Sequence, residues 1–544
     1  MPLFGREPKK PVDFTTLKKP WEAERISIYE HIASNLEGDA DSESTLNEKG
    51  QTLPDEALLY EEDSIRWVAG GLDGAFGHHS DPAEASEFSK ALAKAIKQLF
   101  KKNSPEALAA FYHLLAAEST LNFIDSFMEY AIEAGLTEEP SFYALAKWLL
   151  KSAPDREPVK AGIAMLGVCA TADDQDLFID IGKHEEFTLF SCVALLHSLS
   201  EPEEALFRLG KAVHGWGRIQ VVERLENTGN EEIKAWLLKE GYKNSIMYEY
   251  TAYQCATTGN LLAALEEEEP DEELLTAAGN LLSSMNEPGI PLEEYKDAPR
   301  ATLLFMRHLA KREISINQFL AVNAIKELVL ALPEADTSNE DGSSESSWAE
   351  VSEEVLKLCE AMRNRPGWEE KIRAQLQSDN DQDFFNATRL AELFGVDTWE
   401  KYFERVKQGK EDWYFLMRTR DESRIEQAVA LAEELLPLNE IASGADEKMG
   451  MGEAFKAHRG LDFILQELRE WPGHGYKLIC TGLKSPVTRN RNLALKALKV
   501  WGKANWQNDT EALLRELQQV EPNEQTREYF SELLSNGSGK DQEQ

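Results

Sequence analysis

The sequence predicts an all-α protein whose central part is a solenoid of stacked helix pairs, with further helical segments at both ends. Three observations predict this fold class. Apolar residues recur at helical spacing along most of the 544 residues, and alternating Val, Ile and Thr stretches typical of strands are essentially absent. A polar residue that closes an apolar run and opens a short acidic turn recurs every 28 or 29 residues, at Thr171, Ser200, Thr228 and Thr257.

The unit around Ser200 shows why this period indicates helix pairs. Leu189, Val193 and Leu196 share one face of a helix. Ser200 and Glu203 then have the spacing of a capping box, in which two side chains satisfy free backbone donors at a helix start. Such a pair cannot bury its apolar face alone, so neighbouring pairs must stack. The same spacing recurs at Thr228 with Glu231 and, more weakly, at Thr171 with Asp174.

Glycines mark the end of the second helix in successive pairs. Gly182, Gly210 and Gly241 lie where a left-handed C-terminal residue is expected. The period is shorter than the roughly 40 residues of standard HEAT units. The block therefore resembles the short HEAT-like repeats of many bacterial proteins.

Composition divides the chain into six segments. A first helix is expected over residues 21–36 and a solvated acidic loop over 37–52, while 349–376, 383–408 and 411–437 are expected to be helical. The predicted segments are an N-terminal arm with the first helix and acidic loop (1–55), a helical region with the stretch GGLDGAFGHH (56–157), the HEAT-like repeat block (158–332), an acidic flexible linker (333–348), a C-terminal helical region (349–536) and a disordered tail (537–544).

The charge balance limits the classes of partner. The chain has 58 Lys and Arg against 97 Asp and Glu, a formal net charge of −39. This balance argues against nucleic acid and against an anionic membrane surface, and it favours a basic protein partner. No apolar run is long enough for a membrane span, and no signal peptide is expected at the N-terminus. Five scattered cysteines without a CxxC pair suit a reducing cytosol, so a cytoplasmic protein is expected.

Two stretches resemble a bacterial family that carries the name limonene hydroxylase. They are Pro2–Ile32, which contains PVDFTTLKKPWEAERISIYEHI, and Ile65–Asp81, which reads IRWVAGGLDGAFGHHSD. The resemblance implies an NAD(P)H-dependent monooxygenase that converts limonene to carveol or perillyl alcohol. It also implies an alcohol dehydrogenase activity that oxidises these alcohols to carvone or perillaldehyde.

The motifs that such redox chemistry ordinarily uses are hard to find in the residues. Cys169, the nearest candidate for a haem thiolate, lies within a predicted repeat helix, which favours core packing. None of the ten histidines follows a Glu by three residues, as a ferritin-like di-iron site requires. The glycine pairs at 215 and 217 and at 450 and 452 lack the third glycine of a dinucleotide-binding turn. Tyr143 and Lys147 have the spacing found in short-chain dehydrogenases, but that spacing is common on helices by chance.

A non-haem iron site is the remaining metal hypothesis. His79 and Asp81 form the first half of a 2-His-1-carboxylate site, and His113 or His31 could supply the third ligand. The alternative interpretation is a polar loop in which Asp81 caps the helix that begins near Pro82.

Two functions stay open at this point. The first is the monoterpene hydroxylase implied by resemblance. The second is a non-catalytic HEAT-like scaffold that presents an acidic surface to a protein partner, which the residues favour because no redox cofactor motif is visible.

One region has the opposite charge. Residues 472–508 contain no Asp or Glu, and Arg489, Arg491 and Lys496 are expected to line the exposed face of a helix whose apolar side includes Val500. That face either pairs with acidic residues of a neighbouring helix or binds an anionic ligand.

Overall fold

The fold is almost entirely helical, which confirms the all-α prediction. A computed structural model describes residues 10–38, 43–59, 82–332 and 347–535. Within these ranges the single sheet is an antiparallel pair of two-residue strands, β1 (Leu36–Glu37) and β2 (Thr45–Leu46). No helix in the same ranges combines the length and the apolar character that a bilayer crossing needs.

The chain forms two compact units, one that ends at Pro366 and one that begins at Gly367. This boundary differs from the predicted linker at 333–348, which lies mostly outside the described residues. The helices of the first unit are α1 (Ile28–Ser34), α2 (Glu56–Leu59), α3 (Pro82–Lys102), α4 (Pro105–Ala116), α5 (Ile124–Glu133), α6 (Pro140–Ser152), α7 (Arg156–Gly167), α8 (Gln175–Gly182), α9 (Glu185–Ser198), α10 (Glu203–Ala212), α11 (Gly215–Arg224), α12 (Glu231–Trp236, continued by a π-helical turn, Leu237–Gly241), α13 (Ala252–Thr258), α14 (Leu261–Leu265), α15 (Glu272–Ser283), α16 (Ala298–Ala310), α17 (Ile316–Ala331) and α18 (Trp348–Arg363).

The second unit is also helical. The expected helical stretches 349–376 and 383–408 each hold two helices, because Gly367 (φ 92°) and Gly395 (φ 66°) adopt left-handed backbone conformations where the chain turns. The helices of the second unit are α19 (Trp368–Gln375), α20 (Asp381–Phe394), α21 (Trp399–Lys407), α22 (Trp413–Met417), α23 (Glu422–Leu435), α24 (Leu438–Ile441), α25 (Lys456–Leu468), α26 (Tyr476–Leu483), α27 (Thr488–Trp501), α28 (Thr510–Val520) and α29 (Glu524–Ser535).

In the middle of the first unit, every second helix packs on the next. Contacts run from α7 to α9, α11, α13, α15 and α17 in turn, and the intervening helices make a second series that includes α8 with α10 and α14 with α16 and α18. Ile163, Leu195 and Val221 lie on the first series and are fully buried. The helices α7, α9 and α11 begin at residues 156, 185 and 215. These starts are 29 and 30 residues apart, close to the predicted 28 or 29, whereas α13 begins 37 residues after α11.

The predicted capping boxes are confirmed at one position of three. Asp174 accepts the backbone N–H of Thr171 at 3.0 Å, which completes a capping box before α8. Ser200 is not a cap, because α10 begins three residues later with Pro202 at its N-cap position. Thr228 is not a helix cap either, since Asn230 caps α12. Its hydroxyl instead contacts Glu203 of the preceding turn at 3.2 Å.

The expected left-handed role of the repeat glycines is wrong. Gly182, Gly210 and Gly241 lie within or at the end of helical turns and have no positive φ. A methyl group on Gly182 would meet Ser191 Cβ at 2.7 Å, and one on Gly167 would meet the Ala194 backbone at 2.8 Å. These glycines therefore allow close approach of neighbouring helices rather than a turn.

The N-terminal part differs from the expected long helix and solvated loop. Helix α1 begins only at Ile28, because the Ser27 hydroxyl caps it by accepting the N–H of Glu30 at 3.1 Å. The described residues of the expected loop form the β1–β2 pair and a 3-10 turn, Glu48–Gln51. The residues that follow also pack into the fold, since Leu53 and Asp55 are buried.

The basic stretch after residue 472 is only partly exposed. Arg491 was expected on the exposed face of α27, yet its side chain is 0 % exposed and pairs with Glu521. Arg489 pairs with Asp462, and Lys496 is exposed as expected. Val500 is 60 % exposed and does not belong to the apolar side. Internal pairing is therefore the interpretation that the contacts of Arg489 and Arg491 support.

Candidate functional site

The predicted iron ligands are not brought together among the described residues. His79 and Asp81 lie outside these residues, so their part of the hypothesis stays a prediction. His113 is exposed on α4, and His31 is half-buried on α1, where its Nε2 has no hydrogen-bond partner among the described residues. Among the residues that the structure describes, no three His, Cys, Asp or Glu side chains are grouped so that they could hold a metal ion.

His113 lies at a large cavity, here called the aromatic pocket, which is lined mainly by the segment around Trp21 and by α4. The cavity volume is about 1030 Å³. The Trp21 ring lies 4.8 Å from the ring of Tyr112 and 5.2 Å from that of Trp148, measured between centroids. Further apolar lining comes from Pro20, Leu58, Ala109 and Ala116.

Three polar side chains form a connected group beside these rings. Arg25 donates to Asp155 at 2.6 Å, and the Tyr112 hydroxyl donates to the same carboxylate at 2.5 Å. Burial and the Asp155 charge raise the pKa of Tyr112, so its hydroxyl stays protonated as a donor. Trp21 Nε1 is buried without a partner in the described part of the chain. The pocket thus combines an apolar surface with one indole donor that is not engaged.

The glycine pairs do not form a dinucleotide-binding turn. Gly215 (φ 57°) opens α11, and the carboxylate of Glu185 already accepts the backbone N–H of Trp216 at that helix start. Gly217 packs against Thr188, while Gly450 lies in a loop against Val487. In the described ranges no parallel sheet precedes these glycines, so the residues present do not fit a Rossmann-type cofactor site.

The remaining redox candidates have structural partners. Lys147 donates to Tyr143 Oη at 2.9 Å and to Asp174 at 2.7 Å, and Tyr143 lies 3.0 Å from the same carboxylate. These bonds tie α6 to the turn before α8. Burial raises the pKa of the Cys169 thiol to about 12, which disfavours the thiolate that a metal or a substrate would require.

A buried cluster of charges, not identified from the sequence, joins residues 43–59 to α7. Arg156 donates to both carboxylate oxygens of Asp55, at 3.1 and 2.9 Å, and to Glu56 at 2.8 Å. One turn further along α7, Lys160 pairs with Glu157 at 2.8 Å and with Glu186 at 2.5 Å. The sequence signal was the placement of Arg156 and Lys160 at i, i+4 on a helix whose other charged residue is Glu157.

His184 completes this region. Its Nε2 lies 3.1 Å from the Gln51 carbonyl, and its Nδ1 accepts the backbone N–H of Glu186 at 3.1 Å. Nδ1 as acceptor places the ring proton on Nε2, so His184 is neutral. Burial lowers the pKa of His184 to about 4, against the opposing effect of the Gln51 bond.

Exposed carboxylates line three successive turns of the helix series. These turns join α7 to α8, α9 to α10 and α11 to α12, and Thr228 bonded to Glu203 connects two of them directly. Five exposed carboxylates in these turns, or in the first turn of the helix that follows, form no ion pair with any described residue, and we call them the acidic ridge: Asp173, Glu201, Glu204, Glu226 and Glu232.

Known proteins give no further guide to these surfaces. Neither a known protein family, nor a curated protein, nor a solved structure matches the chain.

Proposed function

We propose that this protein is a HEAT-like helical-repeat scaffold that binds a basic segment of a protein partner along the acidic ridge. The observation that carries the proposal is the stacking of every second helix on the next from α7 to α17. Stacking of this kind places equivalent turns of successive pairs side by side along one edge. An extended row of turns suits recognition of an extended protein segment.

The charge of the acidic ridge determines which class of partner it can bind. The ridge carboxylates are exposed and unpaired within the described residues, and the chain has a net charge of −39. Such a surface attracts a segment rich in Lys and Arg and repels acidic proteins.

The test uses two variants of the full chain with equal charge. The ridge variant carries Glu201→Gln, Glu204→Gln, Glu226→Gln and Glu232→Gln. The control variant carries Asp379→Asn, Glu400→Gln, Glu426→Gln and Glu516→Gln, all exposed residues of the second unit.

Binding of a labelled peptide of alternating Lys and Ala is measured by fluorescence anisotropy at low salt. We expect the ridge variant to bind about tenfold more weakly than the wild type, because several exposed ion pairs are lost. The control variant should bind within about twofold of the wild type. Equal weakening in both variants would mean that the peptide binds through the net charge of the protein and not at the ridge, which contradicts the proposal.

The aromatic pocket favours a second candidate function, monoterpene hydroxylation. Its volume and its Trp21–Tyr112 surface suit a small apolar molecule, and the resemblance to the limonene hydroxylase family names limonene as that molecule. NAD(P)H and non-haem iron are the cofactors to be tested, although the described residues form no site that fits either.

Limonene binding is measurable through tryptophan fluorescence. We expect limonene to quench the emission of the wild type and Trp21→Leu to remove most of that quenching, because Trp21 forms the pocket wall. Trp506→Leu, in the second unit, should leave the quenching intact. In parallel, the formation of carveol or perillyl alcohol with NADH or NADPH is followed by gas chromatography. If limonene causes no quenching and no product forms, this candidate is ruled out.

A further inference from the structure

A stripe of four lysines runs along the exposed face of α3. Lys90, Lys94, Lys97 and Lys101 follow one another at spacings of four, three and four residues, which places them on one side of the helix. At about 1.5 Å per residue the stripe is about 17 Å long. All four residues are exposed. We call this surface the lysine stripe.

The packing of α3 fixes the stripe outward. Leu92, Ile96 and Leu99 lie on the opposite face and are fully buried, where α3 contacts α4 and α5. The buried Ser89 hydroxyl also donates to the Phe123 carbonyl at 3.3 Å. Because the apolar face is held on two helices, the lysines cannot turn towards the core.

Within the described part of the chain, the lysines of the stripe lack partners of opposite charge. None of the four forms an ion pair with a carboxylate of the described residues, whereas the exposed Arg307 of the same unit pairs with Glu354 at 2.8 Å. The sequence from residue 88 to 105 contains no Asp or Glu, in a chain of net charge −39. The stripe is therefore a local positive surface on a strongly negative protein.

A shallow groove lies along the stripe. All four lysines line it together with Ala93, Gln98 and the exposed ring of Tyr130 from α5, and its volume is about 370 Å³. The aromatic ring gives an apolar contact between the cationic side chains, which suits an anionic ligand that also carries an apolar side chain.

We propose that the lysine stripe is a docking surface for an acidic peptide segment of a protein partner. Carboxylates on one face of such a segment recur at about 6–7 Å, close to the spacing of lysines one helical turn apart. A short acidic segment can bind through the stripe alone, without contacting the acidic remainder of the surface. A nucleic acid or an anionic bilayer would also meet the rest of the chain, whose charge repels it. The stripe and the acidic ridge involve different residues and partners of opposite charge, so neither proposal depends on the other.

The test measures binding of a labelled peptide of alternating Glu and Ala with one central Tyr to the full chain at low salt. In the stripe variant Lys90, Lys94, Lys97 and Lys101 are all changed to Gln, which keeps a similar helix propensity. In the control variant Lys357, Lys477, Lys496 and Lys499, all exposed and helical, are changed to Gln. We expect about tenfold weaker binding by the stripe variant and a change within about twofold in the control.

Several results would overturn the proposal. The wild type could fail to bind the peptide, or the two variants could lose affinity equally. Tighter, stripe-dependent binding of an oligothymidylate or of phosphatidylserine vesicles would assign the surface to another class of partner. A doubling of mass at low salt in light scattering, abolished in the stripe variant, would assign it to a second copy of the chain.

Discussion

Replacing Arg491 with Met is expected to lower the free energy of unfolding by about 3–5 kcal/mol. Arg491 and Glu521 are 0 % and 1 % exposed and form two parallel bonds of 2.7 Å. Arg491 also donates to the carbonyls of Ser485 and Pro486, at 2.8 and 3.1 Å. Its removal leaves a carboxylate buried without its cation, a state that costs far more than the net contribution of an intact pair.

A double-mutant cycle in denaturant unfolding separates these terms. Glu521→Met should cost a similar amount, whereas the double variant should lose clearly less than the sum, since no unpaired charge then remains buried. The control is Lys496→Met on the same helix, which is exposed and should change stability by less than about 0.5 kcal/mol. Strict additivity, or a loss below about 1 kcal/mol for Arg491→Met, would show that the pair is not held as described.

The second large effect is a loss of stability in mild acid caused by His184. Its folded pKa of about 4 lies below the ordinary value near 6.5, so on acidification the unfolded chain takes up the proton first. The contribution of neutral His184 is complete above about pH 6.5, declines as the pH falls and is lost by about pH 4. The pKa difference corresponds to about 3 kcal/mol.

This effect is measured by comparing urea unfolding at pH 7 and pH 4.5 in the wild type and in His184→Gln. The variant should be less stable at pH 7 but should lose less stability on acidification, because glutamine does not titrate. His113→Gln serves as the control, since His113 is exposed and its replacement should leave the pH dependence of the wild type. Parallel pH curves for the wild type and His184→Gln would contradict the assignment.

Periodicity was sufficient to predict the helical class but not the position of each helix start. Thr171 and Asp174 form the predicted capping box. The same spacing at Ser200 does not form one, because α10 begins only after Pro202. The repeat glycines were misjudged for a related reason. A glycine at a left-handed turn and a glycine at a helix crossing look alike in a sequence, and the neighbour that distinguishes them, such as Ser191 beside Gly182, lies on another helix.

The candidate sites were predicted less well than the fold. Amphipathic patterning assigns charged residues to the surface, so Arg491 was placed there, and its partner Glu521 lies 30 residues away. The aromatic pocket joins Trp21 to Tyr112, and the charge cluster joins Asp55 to Arg156 over about 100 residues. Such pairings depend on tertiary packing that helical periodicity does not contain.

The cluster around Arg156 can form only late during synthesis of the chain. Asp55 precedes Arg156 by 101 residues. At a translation rate of roughly 5–20 residues per second, the carboxylate is made about 5–20 s before its cation. During that interval residues 43–59 have no helix α7 to bind, so their native contacts form only after about a hundred further residues have been made.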